Sequence, residues 1–120
     1  MRFSLWALLI SLVSPPANAL TGEELLKQCS AAAYSVEWKQ CESYIAGVVS
    51  GISTLTTSMR ILHPESSSYP QLYCVPRYTA TAELVAATAD YLLHHLDTQH
   101  YEASSEVLLA LQRAYPCKGL

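Results

Sequence analysis

The sequence predicts an all-α fold, a small four-helix bundle made of two helical hairpins and stapled by disulfides. Apolar residues recur at spacings of three and four along most of the chain, four cysteines fall at the ends of predicted helices, and no run alternates convincingly with the period of a strand.

The bundle is preceded by a leader. Arg2 supplies a positive start, Phe3 to Val13 is almost uninterrupted apolar sequence, and Ser14-Pro15-Pro16 breaks it before Ala17-Asn18-Ala19, a small-x-small cleavage site. Residues 1–19 therefore read as a cleaved signal peptide and 20–120 as one helical domain, exported to the periplasm and free of the membrane after cleavage. The apolar run is short of the ~18 residues expected of a membrane span. About a hundred residues make one domain with a modest core, which disulfides would reinforce.

The first helix is predicted from Gly22 to Ala33. Thr21 and Glu24 have the spacing of a capping box, Glu23 and Glu24 suit the positive helix end, and Leu25, Leu26 and Cys29 form the inner face. Ser35 is positioned to cap a second helix, Val36 to Leu62, with Trp38, Cys41, Ile45, Val48, Ile52, Leu55 and Met59 facing inward. His63-Pro64 ends it, and a polar, turn-rich stretch leads to Tyr73-Cys74-Val75-Pro76. A third helix is predicted from near Thr79, burying Leu84, Ala87, Tyr91, Leu92 and Leu96. The fourth runs from Glu102 to Ala114, with Ala103, Val107, Leu108 and Leu111 inward and Pro116 as its stop.

Gly47 and Gly51 lie on one face of the second helix. Glycine costs a helix interior up to ~1 kcal/mol relative to alanine, so the pair is expected to permit a close approach by another backbone or bulky side chain. Packing within the fold is the first expectation, a subunit interface the second.

Four cysteines allow three pairings. A helical hairpin brings Cys29 to Cys41 across a short connection, and a second hairpin brings Cys74, before the third helix, to Cys117, after the fourth. Cys29–Cys41 with Cys74–Cys117 is the local solution. In the chain-entropy model the two loops contribute about 3 and about 4 kcal/mol. The spacings contain no close ligand pair for a metal.

Lys and Arg number 7 against 10 Asp and Glu, a net charge of −3 that becomes more negative once Arg2 leaves with the leader. That balance argues against a nucleic-acid partner and is compatible with a basic protein partner. Catalytic readings find little support, since no nucleophile elbow or phosphate-binding glycine loop is present. His94, His95, Asp97 and His100 cluster in sequence, but His94 and His95 project from different helix faces and no H-x-x-x-H spacing occurs. No catalytic residue, metal or cofactor is therefore assigned.

Cys29, then Cys41-Glu42-Ser43-Tyr44-Ile45-Ala46-Gly47-Val48-Val49-Ser50-Gly51, Tyr73-Cys74-Val75-Pro76, Tyr91-Leu92 and Ala110-Leu111-Gln112-Arg113-Ala114-Tyr115-Pro116-Cys117 together resemble the Rap/Tai family of immunity proteins. The resemblance covers nearly the whole mature chain. It departs at His94-His95-Leu96, where the family commonly shows His-Pro, and the following loop lacks the proline often found there.

The resemblance implies a periplasmic protein that neutralises a type VI secretion effector, a peptidoglycan amidase, by occluding its active-site groove. It also implies a homodimer with a protruding loop that enters the groove. Candidate contacts are Tyr69, Gln71 and Tyr73 on the first long loop and Asp97, Gln99, His100 and Tyr101 on the second, since binding energy concentrates in a few aromatic anchors among polar contacts. The alternative is a periplasmic disulfide-stapled helical chaperone or ligand-binding module. A single cell-wall hydrolase as partner favours the first, many unfolded clients the second.

Overall fold

The described residues form four α-helices, α1 (Gly22–Cys29), α2 (Val36–Leu62), α3 (Thr81–Leu93) and α4 (Ala103–Ala114), with a 3-10 turn at Leu96–Thr98. They are seen in a computed structural model that describes residues 19–66 and 71–118. The leader, apart from Ala19, and Tyr69 lie outside the described residues.

The first two helices open on local side-chain caps. Thr21 Oγ1 accepts from the Glu24 amide at 3.3 Å, the first half of the expected capping box, while the Glu24 carboxylate reaches back to the Thr21 hydroxyl at 3.2 Å rather than to the Thr21 backbone amide. Ser35 Oγ accepts from the Trp38 amide at 3.2 Å and opens α2. α3 starts later than Thr79, because Thr79 is held in a turn, its amide and hydroxyl both on the Pro76 carbonyl, beside Tyr78 at φ 67°.

α1 ends at Cys29, short of Ala33. The Ser30 amide reaches back to Leu26, and the chain then passes through Tyr34 at φ 66°, a left-handed conformation that reverses its direction. This brings Cys41 back against Cys29, with Cα atoms 5.1 Å apart in a disulfide. The second disulfide joins Cys74 to Cys117, Cα atoms 5.0 Å apart, and the Cys74 amide donates to the Tyr115 carbonyl beside it. The pairing expected from the hairpins is the one present.

All four helices touch one another around a core of Leu25, Ile45, Leu92, Val107 and Leu111, each fully buried, with Trp38, Leu84 and Val85 closing it. Both hairpins thus contribute to one interior. The removal of these side chains from water is the main stabilising term of such a domain, at roughly 1.5–3 kcal/mol for each large one.

Two inward expectations fail. Leu96 is exposed, because α3 stops at Leu93 and Leu96 sits in the 3-10 turn beyond it. Leu55 is 65% exposed, because α2, at 27 residues, is more than twice the length of α3 at 13 and outruns the helices available to cover it.

Gly47 and Gly51 also correct their first expectation. A Cβ built on either would find nothing within 4 Å, so among the described residues neither admits a close neighbour. Both are exposed on α2. An 18-residue window of that helix has mean hydropathy 1.3 with only 6% of it buried, long and apolar enough by composition alone to cross a membrane.

Candidate partner-binding surface

The segment between α3 and α4 is exposed at its tip and anchored at its base. The Gly22 amide donates to the Tyr101 carbonyl at 3.0 Å, the Glu23 amide to the Gln99 carbonyl at 2.9 Å, and the Ala103 amide to the Leu20 carbonyl at 2.7 Å. A helix leaves its first amides without internal partners, and carbonyl oxygens are favoured at that positive end. Here the loop supplies the acceptors. Thr21 and Glu102 face each other as an isolated antiparallel bridge within the same clasp.

Gly22 makes the clasp possible. A Cβ there would lie 3.1 Å from the Gln99 carbonyl oxygen, 3.1 Å from Glu106 Cγ and 3.2 Å from Leu92 Cδ2, so three elements converge where only a glycine fits without displacement. Within the loop, the Tyr101 amide donates to Thr98 and the Thr98 amide to His95.

The expected contact residues divide into presented and internal groups. Asp97, His100 and Tyr101 are exposed, and the His100 and Tyr101 rings lie 4.3 Å apart at 36°. Gln99 is turned inward, its Nε2 donating to the Leu92 carbonyl at 3.0 Å, where it closes the end of α3. It is a brace for the loop. On the other long loop, Gln71 is exposed, whereas Tyr73 is half-buried against the core and burial raises its phenol pKa. The structure thus sets His100 and Tyr101 side by side on the α3–α4 loop, with Asp97 exposed on the same loop and Gln71 on a separate extended segment.

His94 and His95 bind locally. Each Nδ1 lies 2.7 Å from a carbonyl of the preceding turn, that of Asp90 for His94 and of Tyr91 for His95. A carbonyl only accepts, so Nδ1 is the donor in both rings. The His95 ring stacks on Tyr91 with centroids 3.9 Å apart. Among the described residues no three His, Cys, Asp or Glu side chains converge as a metal would require.

Sequence reasoning passed over three residues that shape this surface, Gly22, Thr98 and Glu106. Glu106 is fully buried on the inner face of α4, with Oε2 3.4 Å from the Thr98 hydroxyl and Oε1 without a partner among the described residues. The available signal was its register, since Ala103, Glu106, Val107 and Ala110 share one helix face.

A second exposed feature is the far half of α2. Leu55, Ile61 and Leu62 are exposed there, and no charged residue occurs between Glu42 and Arg60. Isolated exposed apolar residues are ordinary, but three of them on a helix with no charge over a long stretch make a candidate interface.

A family model described as Rap1a immunity proteins matches residues 21–117. No curated protein and no solved structure matches the chain.

Proposed function

The chain belongs to the Rap1a immunity protein family, and from that membership we propose that it is a periplasmic immunity protein that binds a peptidoglycan amidase effector of type VI secretion and blocks its active-site groove. The observation that carries this reading is the Leu96–Glu102 loop, whose exposed tip is held from below by main-chain hydrogen bonds to α1. A preformed loop loses little conformational entropy on docking, which favours affinity. His100 and Tyr101 are the aromatic anchors, and Asp97 contributes charge for steering towards a basic groove.

The leader supports export, and the two disulfides suit an oxidising compartment. A second copy of the chain is the occupant proposed for the far half of α2. Between Glu42 and Arg60 the helix carries no charge, its exposed Leu55 lies among small and hydroxyl side chains that a copy of the same surface can pack against, and Gly47 and Gly51 leave room for a crossing helix. The protein is thus proposed to act as a homodimer that carries two loops.

Deletion of the gene, alone and together with its neighbour, tests the reading. Loss of the immunity gene should cause self-lysis or sensitivity to sibling cells, and joint loss of an adjacent gene for an exported amidase should abolish that toxicity. A neighbour that is no such enzyme, together with an unaffected mutant, contradicts the proposal. Recovery of many unfolded clients from periplasmic extract would point instead to a chaperone.

A further inference from the structure

Glu106 is an unfavourable residue for its position. It is fully buried, and among the described residues one carboxylate oxygen has no protein partner and the other has only the Thr98 hydroxyl, at 3.4 Å. A leucine in the same space would leave no polar oxygen stranded, and a buried polar group without a full set of partners works against folding. Among the described residues its side-chain hydrogen-bond partner lies in the Leu96–Glu102 loop, so the reason for a costly core residue is sought there.

The contact falls where the loop is organised. Thr98 ends the 3-10 turn, its amide donates to the His95 carbonyl, its single hydroxyl proton is shared between that carbonyl at 3.1 Å and Glu106 Oε2 at 3.4 Å, and its own carbonyl accepts from the Tyr101 amide. Tyr101 and Gln99 in turn receive the first two amides of α1. Glu106 Cγ would lie 3.1 Å from a Cβ at Gly22, so its stem also fills the space between α4 and that helix end. The side chain touches both layers of the clasp.

We propose that Glu106 is a positioning residue for the Leu96–Glu102 loop: through Thr98 it ties the turn to α4, and with Gly22 it fixes the loop in one conformation before any partner arrives. The inference rests on the proposed function only in taking the loop tip as the surface that meets the amidase. The hold on the loop is a property of the free protein. The residue exchanges core stability for a rigid loop.

Two variants of the mature, oxidised protein, Glu106→Leu and Glu106→Gln, test it by amide hydrogen exchange and denaturant unfolding without any ligand. The leucine variant should unfold at the same or a higher denaturant midpoint, yet its Glu23 and Tyr101 amides should exchange roughly fivefold faster or more, the equilibrium weight of a lost hydrogen bond. The glutamine variant should match the parent, because its amide oxygen accepts the Thr98 hydroxyl. Unchanged exchange at those amides in Glu106→Leu overturns the proposal, as does acceleration spread evenly over all four helices.

If Glu106→Leu does not fold, Glu106→Met removes the carboxylate while keeping the stem and the Thr98–His95 hydrogen bond, and it must accelerate the same amides or the proposal fails. Affinity for the purified amidase encoded by the adjacent gene is measured in parallel. A freed loop with unchanged affinity upholds the positioning role of Glu106 and removes the loop from the interface, which counts against the proposed function alone. A freed loop with weakened affinity supports both.

Discussion

The Glu23 amide donates to the Gln99 carbonyl at 2.9 Å, so the first turn of α1 is completed by a residue far along the chain. The helix end and the loop therefore satisfy each other. A helix start usually takes its acceptors from its own cap or from water. Here the loop conformation and the start of the domain are one structural unit, and damage to either is expected in both.

Gly22→Ala is the direct probe of that unit. Alanine favours a helix, but its Cβ would meet a backbone oxygen at 3.1 Å and two buried carbons at 3.1 and 3.2 Å. Overpacking of this kind costs about 1–3 kcal/mol and should outweigh the propensity gain of up to ~1 kcal/mol. The denaturant midpoint should fall. Gly51→Ala, with nothing within 4 Å, should raise the midpoint of the isolated protomer.

The two disulfides should not rank by loop length alone. A sequence separation of 43 against 12 favours Cys74–Cys117 by about 1 kcal/mol in the chain-entropy model. Cys29 and Cys41 are buried in the core, however, while Cys74 and Cys117 are only half-buried. Serine at a buried site strands a hydroxyl at about 1–3 kcal/mol. Cys29→Ser should therefore destabilise at least as much as Cys117→Ser, measured by denaturant midpoints under oxidising conditions.

Alkaline pH should weaken the fold through Tyr73 and Tyr91. Both phenol pKa values are raised above 10.0, by burial first in each case. For Tyr91 the negative charges of Glu106 and Asp97 add to burial, and Arg113 opposes them. The fold thus prefers the neutral phenols, and their contribution is complete below the unfolded pKa of about 10 and is lost as pH rises through the higher folded values. Stability should decline above that pH, and Tyr91→Phe should decline less steeply than the parent.

Much of the fold was legible because its signals are local. Ser35 and His63-Pro64 bracket α2 at Val36 and Leu62, where the structure has it. Ala31-Ala32-Ala33 misled, since their helix propensity yields to the turn that Cys29–Cys41 and Tyr34 require. The surface was legible only at its tip. Asp97, His100 and Tyr101 stand exposed as their polarity and loop position suggest, but the inward turn of Gln99 depends on the Leu92 carbonyl at the end of α3. Gly22 and Glu106 acquire meaning only where α1, α3, α4 and the loop meet, a convergence that no linear spacing encodes.

The apolar half of α2 should govern self-association. Leu55→Glu places a charge on its uncharged, exposed face, where it touches no core residue. Analytical ultracentrifugation should show a dimer for the parent and a monomer for the variant, with equal helical content by circular dichroism. A parent that sediments as a monomer at micromolar concentration removes α2 as a self-interface.

The central claim is that the exposed loop tip blocks an amidase, and calorimetric titration of the mature protein into the purified amidase of the adjacent gene tests it most directly. The parent should bind tightly and abolish peptidoglycan cleavage. The double variant His100→Ala with Tyr101→Ala should lose about 2 kcal/mol or more of affinity, roughly thirtyfold, with unchanged unfolding. No binding by the parent, or binding that survives loss of both rings undiminished, would contradict the account.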